Sequence, residues 1–200
     1  MRALLICILI FAGFTADRNE ITSGEYNDLK IAFNAETKTI TGFFEEYSGE
    51  DEKTKQPLFS CVFYFEGRLV NNKAEIKSYF PLDKKDDLIE GTLRFENEKV
   101  FLQLNKEHGG CWNVQHFADE EVKFALTKKH DWLEIRFVEA DKGYLYRNKN
   151  DNGINRSSYL KKGDIVSIDK IDNDWLRCTY LCQYPITGWI KSESLNQISN

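Results

Sequence analysis

Residues 29–47 read LKIAFNAETKTITGFFEEY. LKIAFN and TITGFFEEY are short runs with partial alternation of apolar and polar side chains, and AETK between them is short and polar. Two alternating runs around a four-residue break read as a β-hairpin turning at Ala35–Lys38. The same grammar repeats on the C-terminal side. FSCVFYFEGRLV (59–70) passes through Asn71–Asn72 into KAEIKSYFPL (73–82), LIEGTLRF (88–95) turns at Glu96–Asn97–Glu98 into KVFLQLN (99–105), and EVKFALT (121–127) closes the series. Asparagine at these junctions is turn chemistry, because its short side chain bonds the local backbone and tolerates the left-handed conformation. No stretch keeps a 3.6-residue apolar period. The reading is an antiparallel meander of about seven strands, closed or folded over as a β barrel or sandwich. The charged segment Ser48–Pro57 reads as an exposed loop.

Composition agrees with an all-β class. The chain has 200 residues, 42% of them hydrophobic and 30% charged, so it can build a core. Aromatic residues make up 14%, and such side chains favour strands. The formal charge of −5 offers no polycationic surface, which argues against nucleic acid as a partner.

The N-terminus reads MRALLICILIFAGFTA (1–16), with one arginine beside an apolar run from Ala3 to Phe14. The run is shorter than the roughly 20 residues a spanning helix needs and reads as a secretory signal cut after Thr15 or Ala16. The expected mature protein is therefore periplasmic or secreted, without stable membrane insertion after cleavage. Cys7 is not a lipid-attachment cysteine, because Leu5 and Ile6 precede it where a small residue is required. Removing residues 1–16 takes away Arg2 and leaves a charge of −6.

Four cysteines then remain: Cys61, Cys111, Cys178 and Cys182. Four cysteines in an oxidising compartment allow three pairings; Cys61–Cys111 with Cys178–Cys182 keeps each bridge local. The second bridge carries a condition. In a straight strand the Cα atoms of residues 178 and 182 would stand about 13 Å apart, and a disulfide needs about 4.4–6.8 Å. The bridge thus requires a bend after Cys178, or it does not form.

WLEIRFVEA (132–140) reads as a connecting strand, and the pattern then changes. The expected division is a β domain over 17–138 and a second domain over 139–200, the latter folding by itself when the chain begins near Trp132. Leu145-Tyr146, Tyr159-Leu160-Lys161-Lys162-Gly163-Asp164-Ile165-Val166, Trp175, Thr187-Gly188-Trp189-Ile190 and Leu195 occur in order. This order resembles the bacterial SH3-like (SH3b) domain over roughly residues 139–196, and the resemblance implies a small SH3-like barrel. The Cys178/Cys182 pair departs from the pattern. Gly163 suits the left-handed position of the turn before a strand, and Asp164 can bond nearby backbone. SH3-like barrels receive peptides in aromatic grooves, so the resemblance implies a binding surface of Tyr146, Trp175, Tyr184 and Trp189. The same rings would also serve as core, Trp189 above all.

The segment KEHGGCWNVQHFADE (106–120) gathers His108, Cys111, Trp112, His116 and Asp119 around Gly109-Gly110. A cysteine nucleophile with His108 or His116 as base and a His-x2-Cys-x4-His metal site are both conceivable there. The cysteine peptidases of the cell wall that accompany SH3b domains place the nucleophile at a helix start in an Asp-Cys-Ser context, and this segment lacks it. The favoured reading is a turn held by Cys61–Cys111 with Trp112 buried beside it, and no cofactor or metal. The adjacent acids Glu45–Glu46, Asp86–Asp87 and Glu120–Glu121 point to opposite faces of a strand and form no acid–base pair by themselves. Nucleotide-binding, serine-hydrolase and zinc-protease motifs are absent from the sequence. The function expected is an exported, non-catalytic binding protein of the bacterial envelope. It would contact a protein or peptidoglycan peptide, as an inhibitor or immunity-type protein in its most specific form. The competing class is a Cys111-dependent wall hydrolase.

Overall fold

The computed structural model describes residues 21–83, 88–149 and 156–198. The signal-like segment, Lys84–Asp87 and residues 150–155 lie outside the described residues. Eight strands follow one another around a closed antiparallel barrel: β1 (Gly24–Tyr26), β2 (Leu29–Asn34), β3 (Thr39–Ser48), β4 (Phe59–Val70), β5 (Lys73–Tyr79), β6 (Ile89–Glu96), β7 (Lys99–Leu104) and β8 (Val122–Lys129). The seven runs read from sequence are β2 to β8. The addition is β1, whose three residues pair with β2 on one side and β8 on the other and so close the ring. Closure removes the free edges that an open sheet would present.

The turns fall where the sequence placed them. Lys38, Asn71, Asn72 and Asn97 all have positive φ, between 51° and 62°. Val70 pairs directly with Lys73, so Asn71-Asn72 is a two-residue hairpin loop of the type whose twist matches the flanking strands. On β5 the alternation is clean: Ala74, Ile76 and Ser78 point inward and Lys73, Glu75 and Lys77 outward. The barrel interior is largely aromatic. Phe44 stacks on Phe63 at 5.3 Å and meets Phe117 edge-on at 5.0 Å.

A second antiparallel sheet has the order β11-β10-β14-β13-β12-β9. Its strands are β9 (Glu134–Phe137), β10 (Lys142–Tyr146), β11 (Arg156–Lys161), β12 (Ile165–Asp172), β13 (Trp175–Tyr180) and β14 (Thr187–Lys191). Its own core contains Val138, Leu145, Leu160, Val166, Ile168, Leu176, Cys178, Ile190 and Leu195. Gly163 has φ +89°, and Asp164 accepts a hydrogen bond from the Lys161 backbone at 2.8 Å, as the turn chemistry required. Because β9 pairs with β12 over Ile135–Phe137 and Glu134, the second sheet begins at Glu134 rather than at residue 139.

The two sheets share a core. Ala32, Phe43, Tyr64 and Tyr79 on the outside of the barrel pack with Trp132, Ile135, Phe137 and Ile165. Polar groups fix the contact: Thr41 Oγ1 accepts from the Ile135 backbone at 2.7 Å, and Ser23 Oγ donates to the Trp132 carbonyl at 2.7 Å. Asn196, fully buried, accepts from the Phe137 backbone through Oδ1 at 2.8 Å and donates its own N–H back to the Phe137 carbonyl at 3.0 Å. Burial pushes the Tyr64 hydroxyl well above the ordinary tyrosine range, with Glu66 adding to the effect.

Candidate functional site

The segment 106–120 is a plug over one end of the barrel. Cys111 opens a short 3-10 turn (Cys111–Asn113) and is bonded to Cys61 of β4. Both sulfurs are buried. The approach depends on Gly110, whose φ is +87°; a Cβ there would collide with the Ser60 carbonyl oxygen. Phe117 enters the barrel, and its carbonyl accepts from the Leu104 backbone at 3.0 Å. The expectation that Trp112 is buried beside the disulfide is corrected: Trp112 is 57% exposed and its ring meets His116 edge-on at 4.6 Å. Neighbouring residues of a 3-10 turn point in different directions; Cys111 takes the inward position, and Phe117 supplies the ring that fills the barrel.

The histidines do not converge on a nucleophile. Cys111 has no thiol while it is bonded to Cys61. His108 is buried, stacked on Phe63 at 5.0 Å, with Nε2 2.9 Å from Ser78 Oγ. Ser78 Oγ donates to the Ile89 carbonyl at 3.0 Å, which leaves that oxygen to accept from an Nε2–H of His108. His116 Nδ1 stands 3.4 Å from Asp119 Oδ2 at the surface. His130 stacks on Trp132 at 4.0 Å and faces Glu25 Oε1 at 2.8 Å. Among the described residues no group of three or more His, Cys, Asp or Glu side chains is placed to hold a metal ion, and no helix is long and apolar enough to cross a membrane.

The expected Cys178–Cys182 bridge is also corrected: both cysteines are free thiols. The strand β13 runs on through Tyr180, so the bend the bridge needed does not follow Cys178. Its sulfur faces the second core, where burial pushes the thiol up to about 12. Cys182 is exposed, its sulfur donating to the Tyr184 carbonyl at 3.1 Å. Alkylation of the native oxidised protein is therefore expected to label Cys182 quickly and Cys178 only on unfolding. Peptide mapping that finds Cys178 bound to Cys182 would contradict this.

The aromatic set divides. Tyr146 pairs with Trp189 across β10 and β14, and its ring meets Trp175 edge-on at 5.1 Å. Tyr146 is largely covered, and Trp175 and Trp189 are half-buried. The pairing of Trp189 with Arg177 and of Trp175 with Lys191 puts these side chains on the face opposite Leu176 and Ile190, away from the second core. Lys149 Nζ lies 5.1 Å from the centre of the Trp189 ring and Lys191 Nζ 5.6 Å from that of Trp175. Lys149 also pairs with Asp172, holding that carboxyl below its ordinary range. Tyr184 stands apart: it lies in the loop after β13 and is 76% exposed. The structure thus brings together three of the four expected rings, with two cations over them.

Sequence reading passed over a groove between the barrel and the second sheet, bordered by Glu45, Tyr47, Phe80, Leu82, Asp164 and Tyr180. These residues sit at strand ends and turns, far apart in the chain; the only local signal was the apolar pair Phe80 and Leu82 beside a proline. No protein-family model matches the chain, and no curated protein matches it significantly.

Proposed function

We propose that this chain is an exported, non-catalytic binding protein of the bacterial envelope. Its second domain is SH3b-like and contacts a protein or peptidoglycan peptide through the face carrying Trp175 and Trp189. The observation that carries this reading is the placement of Tyr146, Trp175 and Trp189 on the outer side of the second sheet, with Lys149 and Lys191 over the indoles. Flat rings supply contact area at low entropic cost, and Lys191 beside Trp175 suits a carboxylate of a peptide, Lys149 being paired with Asp172. The ordered motif matches from Leu145 to Leu195 support the SH3b assignment. Export rests on the apolar run Ala3–Phe14, and a buried disulfide is compatible with it. A role as inhibitor or immunity-type protein is the most specific form of this reading. The hydrolase reading has nothing to favour it, since Cys111 is bonded and His108 is committed to Ser78.

The test is a titration of the oxidised, exported protein with soluble peptide fragments released from purified peptidoglycan, followed by tryptophan fluorescence, together with affinity capture from envelope extract. Intact mass should first show loss of about 15–16 residues and two hydrogens for one bridge. Saturable binding that Trp175→Ala weakens by roughly tenfold or more, at unchanged thermal stability, is the expected result. Binding or capture indifferent to both Trp175→Ala and Trp189→Ala, or none at all, overturns it.

A further inference from the structure

The groove between the barrel and the second sheet has a volume of about 650 Å³, within the range of pockets that accept a ligand or a few side chains. Its floor is apolar: Phe43, Val62, Ile165 and Leu181 extend the core shared by the two sheets. Its lips are apolar as well, with Tyr47 51%, Phe80 38% and Leu82 50% exposed. Single exposed apolar residues are ordinary, but several gathered along one concavity mark a contact surface. Leu82 reaches across from the barrel to the Gly163 turn of the second sheet, where a Cβ would lie 3.1 Å from its methyl.

Two carboxylates border this apolar surface, Glu45 on β3 and Asp164 just before β12. Glu45 Oε1 accepts from the Tyr47 hydroxyl at 2.5 Å. Asp164 accepts from the Tyr180 hydroxyl at 3.2 Å and from the Lys161 backbone at 2.8 Å. These donors are neutral, and among the described residues neither carboxylate has a cation at salt-bridge distance; Lys162 is the cation that lines the groove. The local field registers on Tyr180, whose hydroxyl is pushed up to about 12 by burial, by Asp164 and by Glu45. The charge is also unevenly divided along the chain. Residues 17–138 hold 17 basic and 24 acidic side chains, a net −7, against 9 and 8 over 139–200, a net +1.

We propose that this groove docks an extended segment of a partner protein that carries an arginine or lysine next to bulky apolar side chains. The aliphatic stem and the apolar neighbours cover Phe43, Val62 and Leu82, while the cationic head reaches Glu45 and Asp164. Arginine suits the site better, because its planar fork can meet carboxylate oxygens in pairs. An acidic segment is repelled, and a neutral polar one covers the apolar floor poorly. The site shares no residue with the aromatic face of Trp175 and Trp189, so either can fail without the other.

The experiment uses the mature, oxidised chain and a fluorescein-labelled, end-blocked peptide alternating arginine with leucine and phenylalanine, read by anisotropy. Saturable binding is expected, weakened about tenfold or more when glutamate replaces arginine or serine replaces the apolar positions. Glu45→Gln, which keeps an acceptor for Tyr47, should weaken binding about tenfold, and Phe80→Ser with Leu82→Ser should do the same. Glu75→Gln, on the exposed face of β5, should leave it unchanged. Equal binding of the glutamate or serine peptide, indifference to both groove variants, or no saturable binding up to millimolar peptide overturns the proposal.

Discussion

Replacing Cys111 with serine is expected to lower the melting temperature of the oxidised protein by roughly 8–16 °C. The bridge closes a loop with a sequence separation of 50 residues, which in the chain-entropy model stabilises the folded state by about 4 kcal/mol. A chain of this length shifts by about 2–4 °C for each kcal/mol. The loss also has a structural route. Without the bond, the plug that carries Phe117 into the barrel is held by its backbone bond to Leu104, by the contact of His108 with Ser78 at 2.9 Å and by the Ser48 hydroxyl bond to the Asn113 carbonyl at 2.7 Å. Reduction of the unmodified protein should reproduce most of the shift, and a second reduction step on Cys111→Ser should add little. Thermal unfolding by circular dichroism measures it. A shift below about 2 °C would mean that the plug is held without the bridge.

Truncating Phe137 to alanine is expected to cost about 3–5 kcal/mol, the usual range for a large buried aromatic side chain. Phe137 is almost fully buried and meets Tyr64 at 5.3 Å and Tyr79 at 6.1 Å, both edge-on. The cavity would open at the contact between barrel and second sheet, leaving each sheet's own core untouched. The variant is therefore expected to do more than unfold earlier: the second sheet should unfold ahead of the barrel, separating the fluorescence of Trp175 and Trp189, read in a variant with Trp112 and Trp132 replaced by phenylalanine, from far-ultraviolet circular dichroism. Coincident transitions at an unchanged midpoint would show that the shared core does not couple the sheets. A fragment beginning near Trp132 would expose Ile135, Phe137 and Ile165 to water, so a soluble, cooperatively folded fragment would likewise show the coupling to be weak.

Much of this was legible in the sequence, for identifiable reasons. Hairpins are local: asparagine at Asn71, Asn72 and Asn97 takes positive φ wherever the chain must reverse, and the flanking alternation fixes which side chains face inward. The pairing of Cys61 with Cys111 followed from keeping each bridge within one region. The strand geometry that put Cys178–Cys182 in question also pointed the right way, for β13 continues past Cys178. What failed was decided by loops. Nothing periodic distinguishes Trp112 from Phe117 within 106–120, and only the position of the turn over the barrel mouth turns one ring outward and the other in. Family resemblance groups Tyr184 with Trp175, and its place in the loop after β13, apart from the other three rings, is set by the tertiary structure.

The sequence by itself determined an all-β chain, the order of the hairpins and the inward face of the barrel strands, because these depend on a two-residue period and on turn residues a few positions apart. Only the tertiary structure decided which strands are buried on both faces. Phe43 and Phe44 are neighbours and both buried, Phe44 inside the barrel and Phe43 in the core shared with Phe137 and Ile165. Alternation within TITGFFEEY cannot announce a second covering layer, since the residues that cover Phe43 lie about a hundred positions away. That layer forms because β9 crosses from the end of the barrel onto its outer wall, where it meets Thr41 and Phe43 of β3.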